Sequence, residues 1–298
     1  MNNFVRHIPG YGGVMRAMSG FPFGMTSIVA GFTLAAVMTP ASTGAVAPLP
    51  FPVMPSGHLE PLAITREATA PGSISAGSLN LPANVARSIV RASAGTGVDL
   101  KLLIAVANRE SAFRPEAKAS TSSATGLYQF IDSTWLTAVR EFGARHGLTR
   151  EAAIIGPTGE VEDSARRACI LNLRKNPDIA AAMAAEMLRR DAGYLKANLE
   201  RNATDTDLYA AHFLGARKAA KLAALAQAKP GAPAARLFPR AARANRSIFY
   251  QKKGRKLKSR TVQGVYNRLA LPYAPEVDQV ARKARDIFGD LKPAPSSG

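Results

Sequence analysis

Glu110 is the residue whose position in the sequence first suggests chemistry. It lies in the run LLIAVANRESAF, where Leu103, Ala107 and Glu110 are spaced i, i+4, i+7 and so share one face of a predicted helix. Burial on that face and proximity to the negative end of the helix dipole both favour the neutral acid. Such a group can donate a proton to a leaving oxygen, as cleavage of a glycosidic bond requires. The alternative is that the helix has already ended and Glu110 is solvated.

A short segment downstream offers groups that could bind a ligand beside this acid. Residues 126 to 130 read Gly-Leu-Tyr-Gln-Phe. A glycine permits close approach of the backbone to a ligand, a glutamine can pair with an amide, and aromatic rings suit the faces of sugars. Taken singly, such residues more often serve a turn or core packing.

Together, the two segments resemble the soluble lytic transglycosylase (SLT) family, relatives of goose-type lysozyme that cut the glycan strands of peptidoglycan. The family pattern is Glu-Ser at a helix end, a loop, and Gly-Leu-Met-Gln; this chain has Glu110-Ser111 and then Gly-Leu-Tyr-Gln. The loop is one residue longer than usual, and Tyr128 replaces the methionine. The resemblance is specific over residues 100–136 and implies a mainly α, lysozyme-like fold with Glu110 as the catalytic acid. The residues that it places at the substrate are Ser111, Gly126, Leu127, Tyr128 and Gln129.

The third motif of the family, Ala-Tyr-Asn-x-Gly, is matched only loosely by residues 211–215, AHFLG. By this resemblance, His212 takes the place of the tyrosine that contacts the catalytic acid, whereas Phe213 cannot supply the asparagine amide. Tyr250 or Tyr266 would replace a later family tyrosine near the glutamate. These departures leave the substrate pose and the product open. With these departures, the chain also resembles a divergent branch of the family, the secretion-associated muramidases.

The resemblance implies that Glu110 protonates the oxygen between N-acetylmuramic acid and N-acetylglucosamine. The resulting carboxylate then helps to deprotonate either the muramoyl 6-hydroxyl, which gives a 1,6-anhydro end, or a water molecule. We expect the anhydro product, with hydrolysis as the alternative. Inverting hydrolysis would use a second carboxylate roughly 6.5 to 9.5 Å away. Asp132 is the nearest candidate in sequence, although its residue type favours a helix N-cap. No metal or organic cofactor is required.

The elements that must position these residues are helical. Residues 112–130 lack helical periodicity and are predicted to form an irregular loop or a small hairpin, and almost no stretch alternates as a strand would. We therefore predict a mainly α fold. The predicted helices cover about 81–95, 99–111, 132–147, a long segment from Pro177, 205–212, 216–227, 239–246, 261–270 and 275–288.

The chain divides into four predicted segments. Residues 1–47 contain no acidic residue and end in the small-x-small sequence Ala45-Val46-Ala47, which predicts a cleaved signal peptide and a periplasmic or secreted protein. An uncleaved anchor is the alternative. Residues 48–78, rich in Pro, Gly and Ser, are predicted to be a flexible linker. The catalytic domain is predicted to span residues 79–272, and a C-terminal helix and tail residues 273–298.

The charge of the chain predicts an anionic partner. Lys and Arg number 39 against 21 Asp and Glu, which gives a formal net charge of +18. Peptidoglycan fits, because its peptide stems carry carboxylates, and the six basic residues of QKKGRKLKSR (251–260) could dock on it. A solvated basic loop is the alternative for that run.

Other partners and classes follow from the same features. We expect a monomer, which an envelope-spanning secretion or flagellar machine could recruit. A nucleic-acid binder is the competing class, supported only by the charge and opposed by the predicted export. A non-catalytic wall-binding protein would not be expected to retain Glu110.

Overall fold

The computed structural model describes residues 72–271 and 273–290, so the predicted signal peptide and most of the predicted linker lie outside the described residues. The described part contains thirteen α-helices and two small antiparallel sheets, and the predicted mainly α class is confirmed. The strands are β1 (Ser73–Ala76), β2 (Leu79–Pro82), β3 (Tyr250–Lys253) and β4 (Lys256–Ser259). The helices are α1 (Ala83–Thr96), α2 (Leu100–Ser111), α3 (Asp132–Phe142), α4 (Thr149–Ala153), α5 (Ser164–Asn172), α6 (Pro177–Leu199), α7 (Asp205–Leu214), α8 (Ala216–Ala228), α9 (Ala234–Leu237), α10 (Pro239–Ala244), α11 (Arg246–Phe249), α12 (Val262–Leu269) and α13 (Pro275–Phe288).

The long helix α6 organises the core. It starts at Pro177, where a missing N–H costs nothing, and Asn176 caps it by accepting hydrogen bonds from the N–H groups of Asp178 and Ile179. The alanines of its first half are buried, and their small side chains let neighbouring helices approach closely. Helices α1, α2, α7 and α8 all pack against α6, so the two helices that carry the candidate site, α2 and α7, share one support.

A β-hairpin precedes α1, where the sequence predicts the end of a linker and the start of a helix. β1 pairs antiparallel with β2 in the register Ser73↔Pro82, and Ile74, Ala76 and Leu81 are buried against α1 and α13. The predicted boundary between residues 78 and 79 therefore falls inside the hairpin, and the predicted helix start at Leu81 is wrong. Strands of four residues are too short to show a clear period, and their serines resemble a linker.

The loop between α2 and α3 is irregular, as predicted, and it is organised by one buried arginine. Two isolated bridges, Lys118↔Thr125 and Thr125↔Phe130, are its only β pairings among the described residues. Arg174 Nη1 donates to Phe130 O (3.0 Å) and to Asp132 Oδ1 (2.8 Å). The predicted N-cap role of Asp132 is wrong: Ile131 occupies the N-cap position, and the Asp132 carboxylate is used to pair the buried guanidinium.

The basic run 251–260 falls mainly in the second hairpin, β3–β4, rather than in a loop. The strands pair in the register Tyr250↔Ser259, with Gly254 in the turn at a φ of +62°. Apart from the two ends, its side chains are exposed, including the only apolar one, Leu257. The hairpin therefore presents a row of cations to solvent. Within the described ranges, no helix has both the length and the apolar character that crossing a membrane would require.

Candidate active site

Glu110 occupies the last turn of α2, with its side chain pointing into the protein. The helix starts at the N-cap Asp99, which accepts a hydrogen bond from Lys101 N (2.7 Å). It ends where Ala112 adopts a left-handed conformation with a φ of +49°. Only 2% of the Glu110 side chain is exposed. The helical spacing of Glu110 with Leu103 and Ala107 therefore predicted its orientation correctly, and the solvated alternative is wrong.

Two side chains of α7 meet the Glu110 carboxyl group. Tyr209 Oη donates a hydrogen bond to Glu110 Oε1 (2.8 Å), and His212 Nε2 lies 3.8 Å from the same oxygen. Tyr209 and His212 are one turn apart on the helix, with stacked rings whose centroids are 6.0 Å apart. The three residues thus form a compact cluster at the junction of α2 and α7.

The start of α7 is held by a buried carboxylate, which fixes where Tyr209 and His212 lie. Thr204 and Asp207 form a capping box, and Asp207 also accepts hydrogen bonds from Arg201 (2.7 Å) and from Tyr266 Oη (2.8 Å). Burial alone would raise the pKa of Asp207, but the hydrogen bonds from Arg201 and from the N–H of Thr204 hold it below its usual range. Asp207 therefore stays charged and locks α7 to α12, which carries Tyr266.

The Arg109 guanidinium packs on the face of the Tyr209 ring and holds it in place. The guanidinium lies 4.3 Å from the ring centroid and donates hydrogen bonds to the carbonyl groups of Arg268 and Ala270, both at 2.9 Å. The stacked cation restricts the ring, and the two hydrogen bonds tie α2 to the end of α12. Sequence reasoning did not identify Arg109, because it points away from the face shared by Leu103 and Glu110.

A cleft of about 660 Å³ lies beside this cluster, and His212 forms part of its wall. Hydroxyl groups of α3 line another part, from Ser133, Thr134 and Thr137, and Arg217 and Lys218 of α8 border one side. The cleft is therefore open and combines apolar walls with a few hydroxyl and charged groups, as ligand-binding clefts commonly do. His212 connects it to Glu110, since its Nε2 atom lies 3.8 Å from the carboxylate.

A second carboxylate, Asp191 of α6, lies in the wall of the same cleft. Its side chain is 5% exposed and accepts hydrogen bonds from Arg190 Nε (3.0 Å) and Nη2 (2.9 Å) on Oδ1. Burial raises the pKa of Asp191 in spite of the Arg190 guanidinium. Helical spacing could have identified Asp191 from the sequence, as it did Glu110. Asp191 lies three residues after Leu188 and four residues before Leu195, so it shares their apolar face of α6.

Three residues that the resemblance placed at the substrate are buried and have structural partners. Ser111 Oγ donates to Leu127 O (2.8 Å) and accepts from Arg114 N (3.1 Å). The Leu127 side chain is buried, and Tyr128 Oη donates to Leu103 O (3.3 Å). Burial raises the pKa of the Tyr128 hydroxyl far above its ordinary value. These side chains join the loop to α2 from inside the core, so we assign them a positioning role.

Gly126 and Gln129 also stabilise the conformation of the loop itself. Gly126 has a φ of +87°, and a Cβ atom there would collide with the carbonyl oxygen of Arg174, so the close approach that requires glycine is to the protein's own backbone. Gln129 Nε2 donates to Ala117 O (3.1 Å) and Gly126 O (3.0 Å). Its amide closes the loop on itself.

The tyrosine at the glutamate is neither of the two proposed from the sequence. Tyr250 begins β3, where the Arg246 guanidinium lies 5.5 Å from its ring, and Tyr266 donates to Asp207. Tyr209 fills the role instead. The signal was available in the sequence, because Tyr209 lies three residues before His212 and so shares its helix face.

Substitution of Tyr209 by phenylalanine tests its role at Glu110. We expect turnover to fall about tenfold, because the loss of a hydrogen bond to an ionisable group costs ~1.5 kcal/mol or more. Initial rates of glycan cleavage measure this. The matched control is Tyr194→Phe, which removes an exposed hydroxyl from α6 outside the cleft lining and should leave the rate unchanged. An unchanged rate in Tyr209→Phe would show that the hydrogen bond has no part in turnover.

One comparison with known proteins bears on this site. The family model of the transglycosylase SLT domain matches residues 87–152. The match covers most of α1, all of α2 with Glu110, the loop with Gly126 and Gln129, all of α3 and most of α4. The resemblance to an SLT-type, lysozyme-like domain is thus confirmed there, and it supports a peptidoglycan-cleaving, lytic-transglycosylase kind of function. Tyr209, His212 and Asp191 lie outside the matched residues.

Proposed function

We infer, starting from the transglycosylase SLT domain at residues 87–152, that the protein cleaves the β-1,4 bond between N-acetylmuramic acid and N-acetylglucosamine in peptidoglycan. The observation that carries this inference is the Glu110 carboxyl group, which is almost fully buried, accepts a hydrogen bond from Tyr209 and lies 3.8 Å from His212, a residue in the wall of an open cleft. A carboxyl group held in this way is suited to donate and then to accept a proton at one fixed position.

The proposed reaction is that of a lytic transglycosylase. Glu110 gives its proton to the oxygen at C4 of N-acetylglucosamine as the bond from that oxygen to C1 of the muramoyl residue breaks. The carboxylate then accepts the proton of the muramoyl 6-hydroxyl while that oxygen bonds to C1, which forms the 1,6-anhydro ring and restores the acid. No water is consumed. The Tyr209 hydroxyl holds the carboxyl group in place through both steps, and His212 lies beside the oxygen on which negative charge develops.

Hydrolysis of the same bond is the second candidate, and Asp191 is the observation that favours it. Inverting hydrolysis needs a second carboxylate to orient a water molecule on the opposite face of the sugar. Asp191 lines the cleft together with His212, whereas Asp132, the candidate from the sequence, pairs with Arg174 and Arg167 and is not among the residues that line this cleft. Under this alternative, Asp191 would accept a proton from water and the product would have a reducing muramic end.

Mass spectrometry of the fragments released from purified sacculi separates these candidates. We expect fragments that end in 1,6-anhydromuramic acid, and equal formation of these ends by Asp191→Asn. Reducing muramic ends that disappear in Asp191→Asn would establish hydrolysis instead. If the protein and its Glu110→Gln variant both release nothing yet bind sacculi, the chain is a wall-binding protein without activity.

We also propose that the protein acts at the cell wall after export through residues 1–47, and that the β3–β4 hairpin helps it to dock there. Support for docking comes from the row of exposed cations in that hairpin, since the wall carries carboxylates. Recruitment by an envelope-spanning machine fits the same location. A periplasmic extract from cells that express the full chain should contain the protein.

Removal of charge from the hairpin tests the docking. The double variant Lys253→Gln/Lys256→Gln should bind sacculi about fivefold more weakly at low salt, as expected for two exposed ion pairs of ~0.5 kcal/mol each. The difference should shrink as salt is added, because salt screens exposed charges. Co-sedimentation with sacculi at two salt concentrations measures it. The variant Lys196→Gln/Lys229→Gln, which carries the same net charge, is the control, and equal binding by both variants would refute docking through the hairpin.

A further inference from the structure

A second groove continues from the cleft beside Glu110. It has a volume of about 290 Å³ and shares Arg217 and Lys218 with that cleft. Two more cations, Lys221 and Arg240, lie along it. The remaining lining residues are Leu237, Phe238, Pro239 and Ala241. The residues that line this groove, all in the described part of the chain, therefore include four cations and no acid.

The positions of these cations are unfavourable for the helix that carries most of them. Arg217 and Lys218 lie in the first turn of α8, at the positive end of its dipole, and that turn contains no acidic residue. Lys221 follows Arg217 at i+4, a spacing at which like charges repel each other. Neither arrangement improves the stability of α8. An anion in the groove would relieve both costs, because it would meet three cations and the helix N-terminus together.

The other side of the groove is apolar. Phe238 is buried, and its ring lies 5.4 Å from Lys221 Nζ; Leu237 and Pro239 flank it. A ligand that fits must therefore combine carboxylate groups with small apolar groups. An inorganic anion or a bare polyanion would leave the apolar wall without a partner.

We propose that this groove binds the acidic peptide stem attached to the muramic acid whose bond Glu110 cleaves, an inference that rests on the proposed function. A stem is a short peptide that carries carboxylates and alanine methyl groups, which matches the two kinds of wall. It leaves the glycan at the muramoyl residue itself, next to the scissile bond. A stem that departs from a sugar in the main cleft meets Arg217 and Lys218 first, because these two residues belong to both spaces. The groove thus makes cleavage depend on the presence of the stem.

Cleavage of stem-bearing strands is compared with cleavage of the same strands after an amidase has removed the stems. The test variant is Lys221→Gln/Arg240→Gln, which leaves Arg217 and Lys218 in place because both also line the main cleft. The protein should cleave stem-bearing strands about tenfold more efficiently, as kcat/KM, than bare strands. The variant should lose this preference and keep the rate on bare strands. The control Lys229→Gln/Arg243→Gln removes two exposed cations outside the groove lining and should keep the preference.

Three results would overturn the inference: equal cleavage of both substrates by the unchanged protein, an unchanged preference in the groove variant, or an equal loss by that variant on both substrates. The last would mean that the groove holds sugar or acts only through general charge. A binding measurement keeps this test independent of turnover. The amidase-released stem peptides should bind Glu110→Gln, as followed by calorimetry, and binding should be lost when the two groove substitutions are added. Failure of cleavage with intact stem binding refutes the proposed activity alone; failure of stem binding refutes the groove.

Discussion

Replacement of Glu110 by glutamine should lower the rate of glycan cleavage by at least ~10²-fold and leave the fold intact. A general acid or base contributes about 10²- to 10⁴-fold, and here one group performs both proton transfers. Glutamine has the same shape, and its Oε1 can still accept the hydrogen bond from Tyr209, so the buried position remains satisfied. It can neither donate nor accept the proton. Release of soluble fragments from sacculi gives the rate, and thermal unfolding checks the fold.

The matched control for this variant is Glu116→Gln. Glu116 is an exposed glutamate on the loop that follows α2, where it pairs with Lys175 (2.7 Å). Its substitution removes the same charge a few residues away and should leave the rate unchanged, because an exposed ion pair contributes little. Near-normal turnover by Glu110→Gln would refute the mechanism, and an equal loss in both variants would point to net charge instead of proton transfer.

The sequence predicted the part of the site that depends on local periodicity. The orientation of Glu110 follows from its spacing with Leu103 and Ala107, and the α2 helix forms almost as predicted, from Leu100 to Ser111. The irregular loop also follows from local signals, because residues 112–130 contain no sustained apolar period. Local patterns are informative here because the family motif and the buried helix face coincide.

The parts that the sequence did not reveal depend on contacts between distant residues. Asp132 has an N-cap residue type, but a buried Arg174 some forty residues later recruits its carboxylate. Tyr209 contacts an acid 99 residues earlier, and Arg109 reaches carbonyl groups about 160 residues later. Such pairs are set by how α2, α7 and α12 pack together. A pattern within one segment can place Tyr209 and His212 on one face of α7, but it does not reveal which distant group that face meets.

The division of the site between two parts of the chain explains its departures from the family pattern. The acid and its loop belong to the matched residues 87–152, whereas the side chains that touch the acid come from α7. A third motif that departs from the family pattern can therefore still position Glu110, provided that some residue of α7 donates a hydrogen bond to it. Tyr209 does so from a position outside the AHFLG segment, and His212 remains beside it in the wall of the cleft.

Substitution of Gly126 by alanine should destabilise the protein by about 2 to 5 kcal/mol. Part of this is backbone strain, because a φ of +87° costs an L-residue about 1 to 2 kcal/mol. The rest is a collision, since the new Cβ would overlap the carbonyl oxygen of Arg174 and the crowded backbone must move, typically at a cost of about 1 to 3 kcal/mol. Urea unfolding measures the change.

Gly97→Ala separates the two contributions to this loss. Gly97 has a similar φ of +75°, but a Cβ atom added there would have no neighbour within 4 Å, so only the strain of about 1 to 2 kcal/mol should appear. Equal losses at the two sites would mean that the loop yields freely and that Arg174 does not hold it rigidly. The larger loss expected at Gly126 should also reduce the rate per folded molecule. Leu127 O accepts the hydrogen bond of Ser111, the residue next to Glu110, so displacement of the loop would move the end of α2 and with it the acid.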